Sequence, residues 1–183
     1  MTDKTYQVLF ICTGNSARSI MAEALLSQIG GGRFRAYSAG SHPAGKVHPL
    51  ALKLLQSLHH DTTELRSKSW DEFTGEHAPR FDFVFTVCDK AAGEPCPIWP
   101  GQPMRTHWGV EDPAMLYADE ERVQKLFFDT YLLLKRRIEL FCNLPVDKLG
   151  AITLKHRLDD IGQTRESATT PYTFNLDSEE ASS

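Results

Sequence analysis

Apolar residues along the chain form short strand-like runs separated by segments with helical spacing. Residues 6–11 (Tyr-Gln-Val-Leu-Phe-Ile) are rich in strand formers, as expected of a buried parallel strand. Within residues 19–29, Ile20, Ala24 and Leu25 recur at helical spacing, and a run of three glycines ends the pattern. The chain therefore predicts a strand that is followed directly by a helix.

The same alternation continues towards the C-terminus. Strand-like runs occupy residues 34–39 and 81–87, the second being the clearest in the chain, and a short strand is expected within residues 98–108. Helical spacing is found in residues 49–59 and 119–141. Strands that alternate with helices predict an α/β fold, in which a parallel sheet is covered on both faces.

The C-terminal third of the chain divides by composition into three parts. The helix predicted at 119–141 has acidic residues at its start and basic residues, Arg137 among them, near its end, which suits the helix dipole. An amphipathic segment at 146–161 predicts one further helix, and the polar, acidic residues after it predict a disordered tail. We therefore divide the chain into a domain at 1–143, a C-terminal helical extension at 144–161 and a tail at 162–183.

Composition and charge exclude several classes of protein. Of the 183 residues, 41% are hydrophobic and 24% are charged, and the net charge is −4 at pH 7. This balance argues against wholesale disorder, and the negative charge argues against nucleic acid as the main partner. The longest apolar run is far shorter than the ~20 residues that a spanning helix needs, and no signal peptide is evident. We expect a cytoplasmic protein with no membrane segment.

The chain has four cysteines, and their spacing argues against a zinc site. Seven residues separate Cys88 from Cys96, and no C-x-x-C pair exists, so a zinc site is not indicated. Structural disulfides are not expected in a reducing cytosol. The cysteines are therefore either inert buried thiols or reactive ones. The full set is Cys12, Cys88, Cys96 and Cys142.

The residues with the strongest chemical signal read C-T-G-N-S-A-R-S and lie between the first strand and the first helix. A loop of this length can wrap a tetrahedral oxyanion, because its backbone N–H groups and those of the following helix point inward. Arg18 is placed to hold two anion oxygens in a planar fork, and the same field favours a thiolate at Cys12. Ser19 is placed to donate to that sulfur, and Asn15 to brace the loop in a left-handed conformation. The predicted anion-binding residues are Thr13, Gly14, Asn15, Ser16, Ala17, Arg18 and Ser19.

Two alternatives stay open on the residues alone. The first loop could be an ordinary strand–helix turn after a buried cysteine, although the Arg at the expected anion position favours the functional interpretation. Asp112 could give a proton to a leaving oxygen at the mouth of the loop. Asp112 followed by Pro113 is equally an ordinary helix start, with Asp as the N-cap.

Several motifs in order resemble those of the low-molecular-weight protein tyrosine phosphatase superfamily, and specifically its arsenate reductase branch. The resemblance covers roughly residues 5–143. It implies a four-stranded parallel sheet flanked by helices, Cys12 as the nucleophile and Asp112 as the catalytic acid. The motifs are V-L-F-I-C-T-G-N-S-A-R-S-I-M-A-E-A, Y-S-A-G, T-V-C-D, C-P-I-W-P-G and H-W-G-V-E-D-P.

The resemblance to arsenate reductases of this branch implies that three thiols act in sequence. Cys12 attacks arsenate, Cys88 attacks the adduct to release arsenite, and Cys96 then takes over the disulfide from Cys12. Cys88 follows a predicted strand whose carboxyl end faces the same side as the first loop, which fits this role. The external reductant is thioredoxin, glutaredoxin or a low-molecular-weight thiol, and the Cys88–Cys96 spacing departs slightly from that of thioredoxin-dependent members.

The relay is weighed against simpler interpretations. Cys88 and Cys96 could be two buried apolar residues, since cysteine is among the most buried residue types. The chain could be a phosphatase acting on phosphomonoesters, for which Cys12, Arg18 and Asp112 suffice. It could also be a binding protein that senses an oxyanion without turnover.

The resemblance also suggests a weaker feature, a potassium site beside the anion loop. We expect no other metal and no bound cofactor, because the seven His are scattered and do not cluster with Cys. Glu23 and Ser38 otherwise look like ordinary surface or turn residues. The residues that would surround the potassium ion are Asn15, Glu23, Ser38 and Asp71.

Overall fold

A four-stranded parallel sheet forms the centre of the protein. The computed structural model describes residues 4–114 and 119–165. The strands lie in the order β2-β1-β3-β4, and each neighbouring pair is parallel, so the predicted fold class is confirmed. The strands are β1 (Tyr6–Cys12), β2 (Phe34–Gly40), β3 (Phe83–Thr86) and β4 (Met104–His107).

Helices follow the strands, as the alternating pattern predicted. The longest of them, α4, begins where the Asp119 side chain accepts a hydrogen bond from the backbone amide of Arg122 at 2.9 Å, an ordinary N-cap. None of the helices within the described residues is long and apolar enough to cross a membrane. The helices are α1 (Arg18–Ile29), α2 (Pro49–Ser57), α3 (Asp89–Gly93), α4 (Glu120–Cys142) and α5 (Ala151–Gly162).

The strand register places the two sequence-predicted catalytic cysteines of the first and third strands at one edge of the sheet. Cys12, the last residue of β1, pairs with Gly40 of β2, and Ile11 pairs with Thr86 of β3. Cys88 follows β3 by two residues, and parallel strands all end at the same edge. The carboxyl ends of β1 and β3 therefore carry Cys12 and Cys88 side by side.

An aromatic cluster fills the space between the sheet and α4. Phe85 stacks on Trp108 with ring centroids 4.3 Å apart, and Phe141 meets Phe85 edge-on at 5.2 Å. All three side chains are fully buried. Burial of a side chain of this size stabilises the fold by roughly 1.5–3 kcal/mol. This packing holds α4 against the strands that carry the candidate site.

Arg137 corrects one sequence-based interpretation. It was interpreted as one of the basic residues that suit the dipole near the end of the helix, but its side chain is fully buried and hydrogen-bonded to other segments. Its guanidinium donates hydrogen bonds to the carbonyl oxygens of Trp108 at 2.9 Å, Gly109 at 3.3 Å and Thr164 at 3.1 Å. Burial lowers the pKa of Arg137 to about 10. The residue therefore ties the segment after β4 to the C-terminal part of the described chain.

The C-terminal helix packs against the edge strand β4. The indole Nε1 of Trp108 donates to the carbonyl oxygen of Leu158 at 2.9 Å, and Thr106 Oγ1 donates to Asp159 Oδ1 at 2.7 Å. A Cβ at Gly162 would lie 2.7 Å from the carbonyl oxygen of His107, so only glycine permits this approach. The helix begins at 151, later than the predicted 146, because residues 145–150 form a turn.

Candidate active site

The carbonyl groups of the loop between β1 and α1 accept hydrogen bonds from the segment that follows β2, and these bonds hold the loop in place. The oxygens of Thr13, Gly14 and Ser16 accept backbone hydrogen bonds, each of 2.9 Å, from residues 42, 44 and 48. Ala17 stands at the N-cap of α1 and provides no side-chain cap. The amide groups at the start of α1 are thus left for another acceptor, and a helix N-terminus favours an anion there.

Asn15 shapes the loop as the sequence predicted. Its φ of 44° lies in the left-handed region, which is unfavourable for most residues other than glycine. The buried Asn15 side chain stabilises this conformation through hydrogen bonds. Its Nδ2 donates to Ser19 Oγ at 2.8 Å, and its Oδ1 accepts from the Lys68 amide at 2.9 Å. Gly40 makes room, since a Cβ there would lie 2.5 Å from the Thr13 oxygen. Ser19 therefore braces Asn15.

Arg18 and Asp112 meet at the mouth of the loop. Arg18 donates to the carbonyl oxygen of Val110 at 3.1 Å, and its second terminal nitrogen lies 3.3 Å from Asp112 Oδ2. Asp112 Oδ1 also accepts a hydrogen bond from the Ala114 amide at 3.0 Å. Residues 113 and 114 form a turn. The carboxyl and guanidinium groups therefore face one another where an oxyanion would enter.

The thiols of Cys12 and Cys88 lie beside each other at the edge of the sheet, and both residues are buried. Cys88 Sγ also lies 3.5 Å from Thr13 Oγ1 and accepts from the Ala91 amide at 3.4 Å. The hydrogen bond from Cys12 lowers the pKa of Cys88 to about 5, helped by Thr13, the Ala91 amide and the charge of Arg18.

The same bond and burial raise the pKa of Cys12, against the opposing effects of Arg18 and the Gly14 amide. The pKa values of the two thiols are therefore driven apart, so that ionisation of one disfavours ionisation of the other. Because the hydrogen bond stabilises the singly ionised pair, the first proton leaves easily and the second is retained. Thiolate character is thus available beside the anion loop.

Cys96 occupies different surroundings. It is half-buried in the segment after α3, which has no regular secondary structure. Burial raises the pKa of Cys96, although the nearby Arg105 charge opposes this. Cys96 lines a cavity of about 250 Å³ together with Ala91 and Ala92 of α3. The structure therefore brings Cys12 and Cys88 into contact and places Cys96 in the neighbouring cavity.

Cys142 stands apart at the end of α4. Its thiol packs against the apolar core, and burial raises its pKa to about 11. This matches the expectation of a packed, unreactive cysteine.

A lysine that the sequence analysis missed lies among the residues expected to hold potassium. Glu23 Oε2 accepts from Ser38 Oγ at 2.8 Å, and the buried Lys68 ammonium lies 3.5 Å from the same hydroxyl. Burial raises the pKa of Glu23, which the Lys68 charge opposes. Asp71 is exposed. No group of three or more His, Cys, Asp or Glu suited to a metal occurs within residues 4–114 and 119–165.

His107 is a second residue whose role the sequence analysis left open. Its Nδ1 is hydrogen-bonded to Thr86 Oγ1, and its Nε2 donates to Asp89 Oδ1, each at 2.7 Å. Asp89 is the first residue of α3 and follows Cys88 directly. A Cβ at Gly109 would lie 2.5 Å from Asp89 Oδ1, so glycine makes room for the pair. The sequence signal for this pair is the motif H-W-G, which contains both His107 and Gly109.

Comparison with known proteins agrees with this geometry. The family model described as "Low molecular weight phosphotyrosine protein phosphatase" matches residues 7–149. An arsenate reductase of Oceanobacillus iheyensis is 36% identical over 134 residues, which is 73% of this chain and 93% of that protein. The arsenate reductase of Bacillus subtilis is 37% identical over 120 residues, covering 66% and 83% of the two chains.

Solved structures show the same similarity. An arsenate reductase in the phosphate binding state has a TM-score of 0.61 at 26% identity, covering 75% of this chain and 97% of that one. The arsenate reductase of Archaeoglobus fulgidus has a TM-score of 0.54 at 29% identity, covering 72% and 98%. A thioredoxin-dependent arsenate reductase of Corynebacterium glutamicum has a TM-score of 0.52 at 28% identity, and the match covers 74% of this chain and 61% of that longer one.

Proposed function

The chain belongs to the low molecular weight phosphotyrosine protein phosphatase family, and from that premise we propose that it reduces arsenate to arsenite. Cys12 is the nucleophile, and Cys88 is the thiol that completes the reduction. The names of the relatives support this assignment. The observation that carries it is a second buried thiol, Cys88, at the same sheet edge as Cys12 and 3.5 Å from the hydroxyl of Thr13 in the anion loop, because a phosphatase needs only one thiol.

Arsenate binds in the loop that runs from Cys12 to Arg18. Its oxygens accept hydrogen bonds from the loop amides and the uncapped start of α1, which are fixed in place before the anion arrives. Arg18 binds two oxygens with its planar guanidinium. Thr13, Gly14, Asn15, Ser16, Ala17 and Ser19 complete the proposed binding loop.

The first step forms a sulfur–arsenic bond. The Cys12 thiolate attacks arsenic(V), and one oxygen leaves as water after it receives a proton from Asp112. The positive charge of Arg18 and the loop amides stabilise the thiolate on Cys12 when the proton moves to Cys88. No electrons pass to arsenic in this step.

The second step carries the two electrons. Cys88 first gives up its proton to an oxygen of the bound arsenic group; its thiolate then attacks Cys12 Sγ, the sulfur–arsenic bond breaks, and the electron pair of that bond remains on arsenic. Arsenic leaves in the +3 state as arsenite, and a Cys12–Cys88 disulfide forms. The contact between the two sulfurs makes this step possible without a large movement of the chain.

The third step regenerates Cys12. Cys96 attacks Cys88, which releases Cys12 as a thiolate and leaves a Cys88–Cys96 disulfide. Because Cys88 caps the short helix α3, this transfer requires α3 to open. An external thiol reductant, thioredoxin, glutaredoxin or a low-molecular-weight thiol, then reduces the disulfide. Because the enzyme needs reduced thiols, we place it in the cytoplasm.

Helix α5 belongs to a C-terminal extension of the reductase domain.

A pair of serine variants tests the proposal. Cys88→Ser should abolish arsenite production from arsenate in a single turnover, while hydrolysis of p-nitrophenyl phosphate, which needs only the first loop, should persist. Cys142→Ser is the matched control, because that thiol is packed away from the site, and it should leave both activities within about twofold of the parent. Full arsenite production by Cys88→Ser would reject the role of Cys88, and a parent chain that hydrolyses p-nitrophenyl phosphate but releases no arsenite would favour the phosphatase alternative.

A further inference from the structure

The cavity beside Cys96 is lined by residues of β3, α3, β4 and α5 and of the segment after α3. Its volume of about 250 Å³ lies just below the ~300–1,000 Å³ of sites for drug-sized ligands, so it suits a smaller molecule. Val84, Thr86, Ala91 and Ala92 supply the wall formed by β3 and α3. Arg105 of β4 and Lys155 of α5 lie on the opposite strand and helix.

The charges on this cavity are of both signs. The Lys155 ammonium is 2.6 Å from Asp159 Oδ1, which engages one of its three donors. One Arg105 nitrogen donates to the carbonyl oxygen of Pro97 at 3.3 Å, which leaves further guanidinium donors. Both side chains can therefore bind a carboxylate while they keep their present partners.

Glu94 supplies the opposite charge. It lines the same cavity, and its Oε2 is buried without a hydrogen-bond partner among the described residues. Its other oxygen lies 3.8 Å from His42 Nδ1. A buried carboxylate oxygen without a donor is costly, and an incoming ammonium group would satisfy it.

We propose that this cavity binds a small zwitterionic thiol, with its carboxylate at Arg105 and Lys155 and its ammonium at Glu94, so that its sulfur meets Cys96. The inference rests on the proposed function, for which it supplies the regenerating reductant. Such a ligand carries a carboxylate, an ammonium group and a thiol in one molecule. The cavity has cationic side chains for the carboxylate, a carboxylate for the ammonium group and a cysteine for the thiol.

The exchange balances over two molecules of the thiol. The bound thiolate attacks Cys96 Sγ of the Cys88–Cys96 disulfide, the bond between the two sulfurs breaks, and Cys88 leaves as a thiolate. A second thiolate attacks the sulfur of the first molecule and releases Cys96 as a thiolate. One small disulfide departs, so two thiols are oxidised for each protein disulfide that is reduced.

The first test needs no arsenate. In a Cys12→Ser, Cys88→Ser background, reduced protein is mixed with oxidised glutathione, and the mixed disulfide at Cys96 is followed by peptide mass spectrometry. The rate should saturate with concentration, whereas bis(2-hydroxyethyl) disulfide, which has no charges, should react in proportion to its concentration. Arg105→Gln and Lys155→Gln should each raise the half-saturating concentration roughly threefold to fivefold, the effect of one partly exposed ion pair. The exposed Lys53→Gln is the matched control and should change nothing.

A second measurement uses the full chain in steady-state arsenate reduction. With glutathione as reductant, Arg105→Gln and Lys155→Gln should raise KM, and with dithiothreitol they should have no effect. A rate that is linear in oxidised glutathione and insensitive to both variants would overturn the site, as would turnover supported by thioredoxin but not by glutathione. Absence of arsenite with every reductant would instead reject the proposed function, and the mixed-disulfide assay would still decide the binding site.

Discussion

Replacing Lys68 tests the role of the buried charge beside the anion loop. Lys68→Met keeps most of the side-chain volume and removes the ammonium that faces Glu23 and Ser38. Removing one partner of a direct buried ion pair costs about 3–5 kcal/mol. Glu23 and Lys68 interact through the Ser38 hydroxyl, and Glu23 can take up a proton, so we expect about 2–3 kcal/mol near neutral pH. The hydrogen bond from the Lys68 backbone to Asn15 is retained, so the loss reports the charge.

The pH dependence separates this charge effect from lost packing. The pKa of Glu23 is raised above its ordinary value of 4.5, and removal of Lys68 should raise it further. A raised acid pKa means that the folded protein holds a proton that the unfolded chain has lost, so stability falls as pH rises above about 4.5. The stability difference between the variant and the parent should therefore be small near pH 4.5 and should grow towards pH 7.5.

Urea unfolding at a series of pH values measures this difference. The exposed Lys53→Met is the matched control, and it should cost less than about 0.5 kcal/mol at every pH. Potassium chloride should partly restore the stability of Lys68→Met, since potassium can take the place of the ammonium group beside Ser38 and Glu23, and tetramethylammonium chloride should not. A stability loss that is independent of pH would refute the reasoning.

Three further predictions follow from other contacts. Cys12→Ala removes the neighbouring thiol that lowers the pKa of Cys88, so the thiolate absorbance should appear at a higher pH than in the parent. Gly109→Ala introduces a Cβ 2.5 Å from Asp89 Oδ1, and it should speed amide hydrogen exchange in α3 and lower stability by about 1 kcal/mol. Phe141→Ala removes a ring from the centre of the aromatic cluster and should cost about 3–5 kcal/mol in urea unfolding.

Local patterns were enough to predict the sheet and the anion loop. The apolar runs that became β1 and β3 are long enough to identify strands, and the glycine and small residues between Cys12 and Arg18 identify a loop at a helix start. The rule that parallel strands end at one edge also predicted that Cys88 would lie near Cys12. These features depend on residues that are close in sequence or on general topology.

The parts that sequence reasoning missed depend on contacts between distant segments. Arg137 carries a charge that is usually found at the surface, and only the carbonyl groups of residues 108, 109 and 164 explain its burial. Lys68 stands in a polar run, and nothing near it in the chain indicates that Glu23 lies beside it. The role of His107 likewise depends on Asp89, which belongs to a different element. Such pairings are set by tertiary packing, which periodicity does not encode.

The central claim is that Cys88 completes the reduction by attacking Cys12, and a trapped disulfide tests it most directly. Cys96→Ser should stop the relay after the second step, because no third thiol can take over the disulfide. After one turnover with arsenate and no reductant, peptide mass spectrometry should find the Cys12–Cys88 disulfide in an amount equal to the arsenite released. Arsenite released without that disulfide, or with one that joins other cysteines, would contradict the account.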